Sequence, residues 1–210
     1  MAKYKHIIWD WNGTLIDDAW LCVDIINSLL GKYGKPRLTL ETYHKVFDFP
    51  VKDYYQRIGF DFSVMPFEKV GTEFMEIYWQ RWKECRLQPG ALKVLQTNAQ
   101  RGMTQSILSA ADIKLLRACI DHFDLSEYFV DLIGLDHHYA SSKVGLAKEY
   151  MHALSFSPDK VLFIGDTLHD FEVAREIQVD CVLFSGGHHP KYKLAKCGVP
   201  VIDSFAQLRI

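Results

Sequence analysis

The chain lacks what would mark a secreted, membrane-spanning or nucleic-acid-binding protein. No apolar stretch approaches the roughly 20 residues needed to cross a bilayer, and the opening Met-Ala-Lys-Tyr-Lys-His has no secretory apolar run. The five cysteines (Cys22, Cys85, Cys119, Cys181, Cys197) are odd in number and scattered, with no Cys-x-x-Cys pair. Buried, reduced thiols are expected instead of a disulfide framework, and with them a cytoplasmic location. An excess of one charge is missing as well, since 24 Lys and Arg meet 26 Asp and Glu. Such a mixed surface offers no basic field to nucleic acid and no acidic tail, so the expected partner is a small molecule, with neither nucleic acid nor membrane. Internal repeats and low-complexity segments are absent too.

What is present is a chain of 210 residues, 49% hydrophobic, enough for one core domain or a core with a smaller insert. His6-Ile7-Ile8-Trp9-Asp10 is a short apolar run ending in an acid and soon followed by Gly13. It predicts a buried strand that delivers Asp10 to its C-terminal end. Asp17 or Asp18 then caps a helix whose apolar positions are Leu21, Ile25, Ile26, Leu29 and Leu30, closed by Gly31 and Gly34. From about 36 to 88 the chain is rich in aromatics, reads as helices divided by Pro36, Pro50, Pro66 and Pro89, and shows no convincing strand.

Beyond Pro89-Gly90 strands and helices alternate. Strands are expected near 104–109, 131–135, 160–165, 181–184 and 199–202, with helices near 90–100, from 112, at 143–154 and at 168–177. That alternation implies a parallel sheet covered on both faces, with its ligand crevice beyond the carboxyl ends of the strands.

Polar residues gather at those ends: Asp10, Ser109, Lys143 and Asp166, with Asp170 one helical turn on. Singly each has an ordinary reading as a cap, a turn residue or a solvated side chain. Together they suit phosphoryl transfer, which needs a nucleophile, neutralised phosphate oxygens and a metal that holds the reactants in line. A carboxylate such as Asp10 can attack phosphorus. Asp166 supplies a second carboxylate for Mg²⁺, Lys143 a point charge for the phosphate, and Ser109 a hydrogen bond. Asp170, at i+4 from Asp166, can orient Lys143 or a metal-bound water. Gly13 lets backbone N–H groups come close to the phosphate.

Asp10-Trp11-Asn12-Gly13-Thr14 resembles the Asp-x-Asp-Gly-Thr signature of the haloacid dehalogenase superfamily. The Ser109 strand, Lys143 and Gly165-Asp166-Thr167-Leu168-His169-Asp170 resemble its other motifs in order, and Gln88-Pro89-Gly90 resembles the return from a helical cap in phosphoglycolate-phosphatase-like members. The resemblance implies a Rossmann-like α/β core over 1–16 and 89–210 and an all-helical cap over 17–88. It also implies a Mg²⁺-dependent phosphatase acting on a small phosphorylated metabolite through an aspartyl-phosphate, as a monomer or homodimer. The implied metal set is Asp10, the residue-12 carbonyl and Asp166, with Asp170 beside them. Asp10, Asn12 and Lys143 are the expected catalytic residues, and Thr14, Ser109, Ala110 and Lys143 those that touch substrate.

Asn12 departs from the signature. Phosphatase members usually carry there an acid that protonates the leaving group and later activates water, and an amide can do neither. Such a loss typically costs on the order of 10²–10⁴ in rate. An acyl phosphate with a good leaving group, a stand-in histidine (His169, His137 or His138), or a module that binds phosphate or a partner with little turnover would each accommodate Asn12. Phosphonoacetaldehyde-hydrolysing members resemble Asp-Trp-Ala-Gly-Thr and rely on a cap lysine, for which Lys45 and Lys52 are available. Lys52, Arg57 and the aromatics near Phe47 are the candidate cap contacts.

Overall fold

The computed structural model describes residues 3–135 and 143–210. Its strands and helices, in order, are β1 His6–Trp9, β2 Ile16–Asp17, α1 Ala19–Lys32, α2 Leu40–Val46, α3 Val51–Arg57, α4 Phe67–Arg81, β3 Arg86–Leu87, α5 Ala91–Gln100 and β4 Thr104–Asp112. They continue with α6 Ile113–His122, β5 Asp131–Leu135, α7 Lys143–Ala153, β6 Val161–Gly165, α8 Leu168–Glu176, β7 Asp180–Phe184, α9 Lys191–Leu194 and β8 Val201–Ile202. Six strands form one parallel sheet in the order β5-β4-β1-β6-β7-β8. This is the expected Rossmann-like α/β fold.

The central strands are apolar at successive positions because both faces are covered. In β1, Ile7 and Trp9 pack with Leu95 of α5 and Leu115, Leu116 and Ile120 of α6. Ile8, pointing the other way, packs with Ala147 of α7 and Val173 and Ala174 of α8. β6 repeats the pattern, with Leu162 and Ile164 on the first face and Val161 and Phe163 on the second. All these strand residues are at most 1% exposed, and each side chain contributes roughly 1.5–3 kcal/mol by leaving water.

A third cluster lies within the helical stretch and is largely aromatic: Tyr43, Phe47, Tyr54, Tyr55 and Phe60 pack with Ile26, Leu29 and Leu30 of α1. α1 also sends Leu21 and Ile25 into the first cluster, so one helix joins the two cores. Pro50 and Pro66 stand immediately before α3 and α4, where a missing N–H costs nothing.

The structure adds two features. β2 and β3 pair antiparallel, Ile16 with Leu87 and Asp17 with Arg86, where the sequence showed no convincing strand. Two residues are too few to display an alternation, so pairing between distant segments leaves no local pattern. β4 also runs past Ser109 to Asp112, with its pairing to β5 breaking register between Leu108 and Asp112. Ser109 thus emerges where the ladder is irregular, a place that re-aims side chains.

Candidate active site

The carboxyl ends of β1, β4 and β6 bring the expected residues together. Asp10 follows β1, with its backbone N–H donating to the Ile164 carbonyl across the sheet at 2.8 Å. Lys143, the first residue of α7, is buried, and its Nζ ion-pairs with both Asp10 Oδ1 and Asp170 Oδ1, the latter at 2.5 Å. Burial works against the Lys143 charge, but the two carboxylates outweigh it and hold the ammonium above its ordinary range. Asp170 Oδ2 accepts the backbone N–H groups of Asp166 and Thr167 and the Thr167 hydroxyl, completing a capping box at the start of α8. Both Asp170 oxygens are therefore engaged, and its geometry is that of a residue that positions Lys143.

Asp166 is fully buried at the end of β6. The Thr14 hydroxyl donates to its Oδ1 at 2.9 Å and the His188 backbone N–H to its Oδ2 at 2.6 Å. Thr14 also reaches Asp10 Oδ2 at 3.2 Å, so one hydroxyl ties the two acids together. Gly13 has φ +76°, and a Cβ there would run into the Asp166 carboxylate and the His188 ring, so only glycine fits. Ser109 is buried, with its hydroxyl accepting the Ala111 N–H at 3.0 Å and lying 3.5 Å from Asn12 Oδ1. Ala110 is exposed and lines the same cleft.

The acids suit a divalent cation. Asp10, Asp166 and Asp170 each offer a carboxylate oxygen within 4.8 Å of the others, and all are buried. Burial and then the Asp170 charge push Asp10 up to about 6, and burial raises Asp166 well above the usual carboxylate range. Three crowded acids with one lysine carry unneutralised charge, and the hard oxygen donors of Asp10 and Asp166 are those Mg²⁺ prefers.

Beside this cluster lies a second network. Asp18, 0% exposed, accepts the Gly13 N–H (2.7 Å) and approaches His188 Nε2 (3.3 Å) with Oδ1. Its Oδ2 accepts Asn12 Nδ2 (2.7 Å) and the Tyr78 hydroxyl (2.8 Å). His188 Nδ1 meets the Tyr43 hydroxyl at 2.7 Å. Despite the desolvation cost, the neighbouring acids, Asp18 foremost, hold the imidazole up to about 9, while His188, Asn12 and Tyr78 keep Asp18 below its usual range. Asp18 stands at the N-cap of α1, but its side chain makes no capping bond. The Asp17-or-Asp18 cap expected from sequence is thus a network residue. Asn12 is fixed as a donor to a carboxylate, and the signal that could have exposed this was Asn12 itself, a changed residue needing a partner.

The stand-in groups fare unevenly. His169 lies against the Phe49 ring (centroids 4.9 Å) and 3.3 Å from Glu172 at the mouth of the cleft. His137 and His138 lie outside the described residues. Lys45 is exposed and pairs with Glu41, Lys52 lies over the Phe62 ring, and Arg57 donates to the Val46 carbonyl. None of these three lines the cleft, whereas Phe47 does. Gln88, in the return segment, donates to the Gly13 and Gly186 carbonyls at 3.1 and 3.2 Å.

Residues 7–184 match the haloacid dehalogenase-like hydrolase family. The chain belongs to that family. Among curated relatives it is 21% identical to phosphoglycolate phosphatase 1 of Pseudomonas aeruginosa, over 97% of this chain and 78% of that one. With a phosphoglycolate phosphatase of Pseudomonas savastanoi it shares 22% over the same fractions. Among solved structures it superposes on a haloacid dehalogenase-like hydrolase of Streptococcus pneumoniae with TM-score 0.81, at 17% identity, covering 96% of this chain and 94% of that one. It superposes on CbbY of Rhodobacter sphaeroides in complex with phosphate with TM-score 0.76, at 18% identity, covering 98% and 96%. At such identities the superpositions speak for the shared fold. No helix among the described residues is long and apolar enough to cross a membrane.

Proposed function

We propose that this hydrolase is a phosphatase that cleaves small-molecule phosphate monoesters, with Asp10 as the nucleophile. The observation that carries the reading is the buried convergence of Asp10, Asp166 and Lys143 at one edge of the sheet, with Lys143 held by Asp170. The Pseudomonas relatives named as phosphoglycolate phosphatases and the phosphate-bound structural neighbour support it. Residues 17–88 act as a cap over a core formed by 1–16 and 89–210.

Asp10, Asp166 and the residue-12 carbonyl would hold Mg²⁺, which supplies charge for the phosphate oxygens and keeps Asp10 ionised. An Asp10 carboxylate oxygen attacks phosphorus, the ester P–O bond breaks, and the alkoxide leaves with its electron pair. Lys143 neutralises phosphate charge, and the Ser109 hydroxyl donates to a phosphate oxygen, while the Gly13 N–H stays with Asp18. Water then attacks phosphorus, breaking the bond to Asp10 and releasing inorganic phosphate. Asn12 can neither protonate the alkoxide nor deprotonate the water, so leaving groups of low basicity are favoured and hydrolysis of the phosphorylated Asp10 is the slow step.

The test is phosphate release from p-nitrophenyl phosphate with Mg²⁺, with a chelator, and in Asp10→Asn. Metal-dependent release that falls by at least about 10⁴ in Asp10→Asn is expected. Equal release from the variant would remove Asp10 from the chemistry, and no release from any form would leave a phosphate-binding module.

A further inference from the structure

Cys22 lies one helical turn after Asp18, and its thiol approaches Asp18 Oδ2 at 3.9 Å, a long contact for a hydrogen bond. His188 arrives from the loop after β7 and sets Nε2 3.3 Å from Asp18 Oδ1. The carboxylate, the thiol and the imidazole each offer one ligand atom, and these lie within 4.8 Å of one another. Ligand atoms bound to one tetrahedral Zn²⁺ at roughly 2.0–2.3 Å stand about 3.3–3.6 Å apart. Both separations from Asp18 lie within a few tenths of an ångström of that spacing. The donors also differ in kind from the oxygen set of Asp10 and Asp166. Thiolate and imidazole select borderline-soft ions, whereas carboxylates alone suit Mg²⁺.

The three side chains are oriented as metal ligands are. The Tyr43 hydroxyl meets His188 Nδ1 at 2.7 Å, which turns Nε2 toward Asp18. Asp18 is fixed in turn by the Gly13 N–H, Asn12 Nδ2 and the Tyr78 hydroxyl. Such outer contacts hold first ligands in place around an ion. Charge is also conserved. An Asp18 carboxylate, a His188 imidazolium and a Cys22 thiol sum to zero. When a divalent ion binds, the imidazolium and the thiol each release a proton to water. Carboxylate, neutral imidazole, thiolate and ion again sum to zero, so the exchange buries no net charge. All three residues border the cleft above Asp10, among its wall rings Tyr43, Phe47 and Tyr78. Cys22 is the partly exposed one, which gives an ion its way in.

We propose that Asp18, Cys22 and His188 form a second metal site, separate from the Asp10–Asp166 set, that takes a thiophilic divalent ion of the Zn²⁺ class. α1 carries Cys22 and joins two hydrophobic cores, and the His188 N–H is bonded to Asp166. The ion therefore ties the helical segment to the wall of the catalytic site.

The test titrates the full chain with Co²⁺, a spectroscopic probe for Zn²⁺ sites, with excess Mg²⁺ present to hold the carboxylate set. The wild type should develop a saturable thiolate-to-metal charge-transfer band, and Cys22→Ser should lose it. A second measurement uses the wild type alone, with alkylation of each of the five cysteines followed by peptide mass spectrometry. Zn²⁺ should slow alkylation of Cys22 by at least about tenfold more than that of the others, and Mg²⁺ should not. No band in the wild type, or a band that survives in Cys22→Ser, would overturn the inference. So would a Cys22 alkylated as readily with Zn²⁺ as with Mg²⁺ alone, a result independent of how the variant folds. Neither readout uses turnover, so the outcome is separate from that of the phosphatase reading.

Discussion

Two buried charge networks stand side by side, and they are built for different ends. In the first, Lys143 bridges Asp10 and Asp170 beneath the reacting position, and carboxylates outnumber the cation. In the second, Asp18 and His188 lie together as one anion and one imidazole, closed by Asn12, Tyr78, Tyr43 and the Gly13 N–H. The first is left short of positive charge and suits a metal and a phosphate. The second is satisfied within itself and holds the loop after β1 in place. They meet at His188, whose backbone N–H donates to Asp166, while the Asn12 side chain belongs to the second network, donating to Asp18.

Breaking the first network should have the largest effect on rate. Lys143→Met leaves Asp10 and Asp170 facing each other without their cation, which raises Asp10 further and protonates the nucleophile near neutrality. Steady-state kinetics with p-nitrophenyl phosphate should show kcat down by about 10²–10³. Breaking the second should instead cost stability. Asp18→Asn strands the His188 imidazole in a buried site, and thermal unfolding should occur about 10 °C lower, from a loss of about 3–5 kcal/mol.

Asn12→Asp sharpens the comparison, because it places a new carboxylate against Asp18 Oδ2, 2.7 Å from the present amide nitrogen. The two acids would share a proton, and the acid-base group absent from this site would return at some cost in stability. Turnover of p-nitrophenyl phosphate should rise by about tenfold, because hydrolysis of the phosphorylated Asp10 limits it, and turnover of an alkyl phosphate, which also gains leaving-group protonation, should rise by at least as much. No gain with p-nitrophenyl phosphate would mean that hydrolysis of the phosphorylated Asp10 is not what Asn12 slows.

The smallest effect lies at the opposite end of β1. His6 is fully buried, bonded to the Thr104 and Ser106 hydroxyls at 2.7 and 2.9 Å, and desolvation pushes it down to about 4. A depressed folded value means its share of stability is complete above the unfolded value near 6.5 and is lost as pH falls toward 4. Denaturant midpoints should therefore decline across that window by roughly 2–3 kcal/mol, and His6→Gln should flatten the decline.

The first network was legible in the sequence because each member follows a recognisable apolar strand or opens a helix. Asp10 and Asp166 stand just past strand ends, Ser109 lies three residues before the end of β4, Lys143 begins α7, and the Gly165–Asp170 segment brings Asp170 back by one turn. The parallel fold was legible for the same reason, as local apolar runs alternating with amphipathic helices. The second network was hidden because Asp18 looks like an ordinary cap and His188 sits in a loop 170 residues away, where only tertiary packing joins them. The β2–β3 pairing and the aromatic walls of the cleft were hidden likewise, because spacing along a helix cannot tell a ring facing a cavity from one facing a core.

The account's central claim is that Asp10 carries the phosphoryl group and that Asn12 slows its release. Rapid-quench kinetics with p-nitrophenyl phosphate and Mg²⁺ test both parts at once. The prediction is a burst of about one p-nitrophenol per chain with phosphate recovered on Asp10, and no burst in Asn12→Asp. Product formation that is linear from the first turnover, with no phosphate on Asp10, would contradict it.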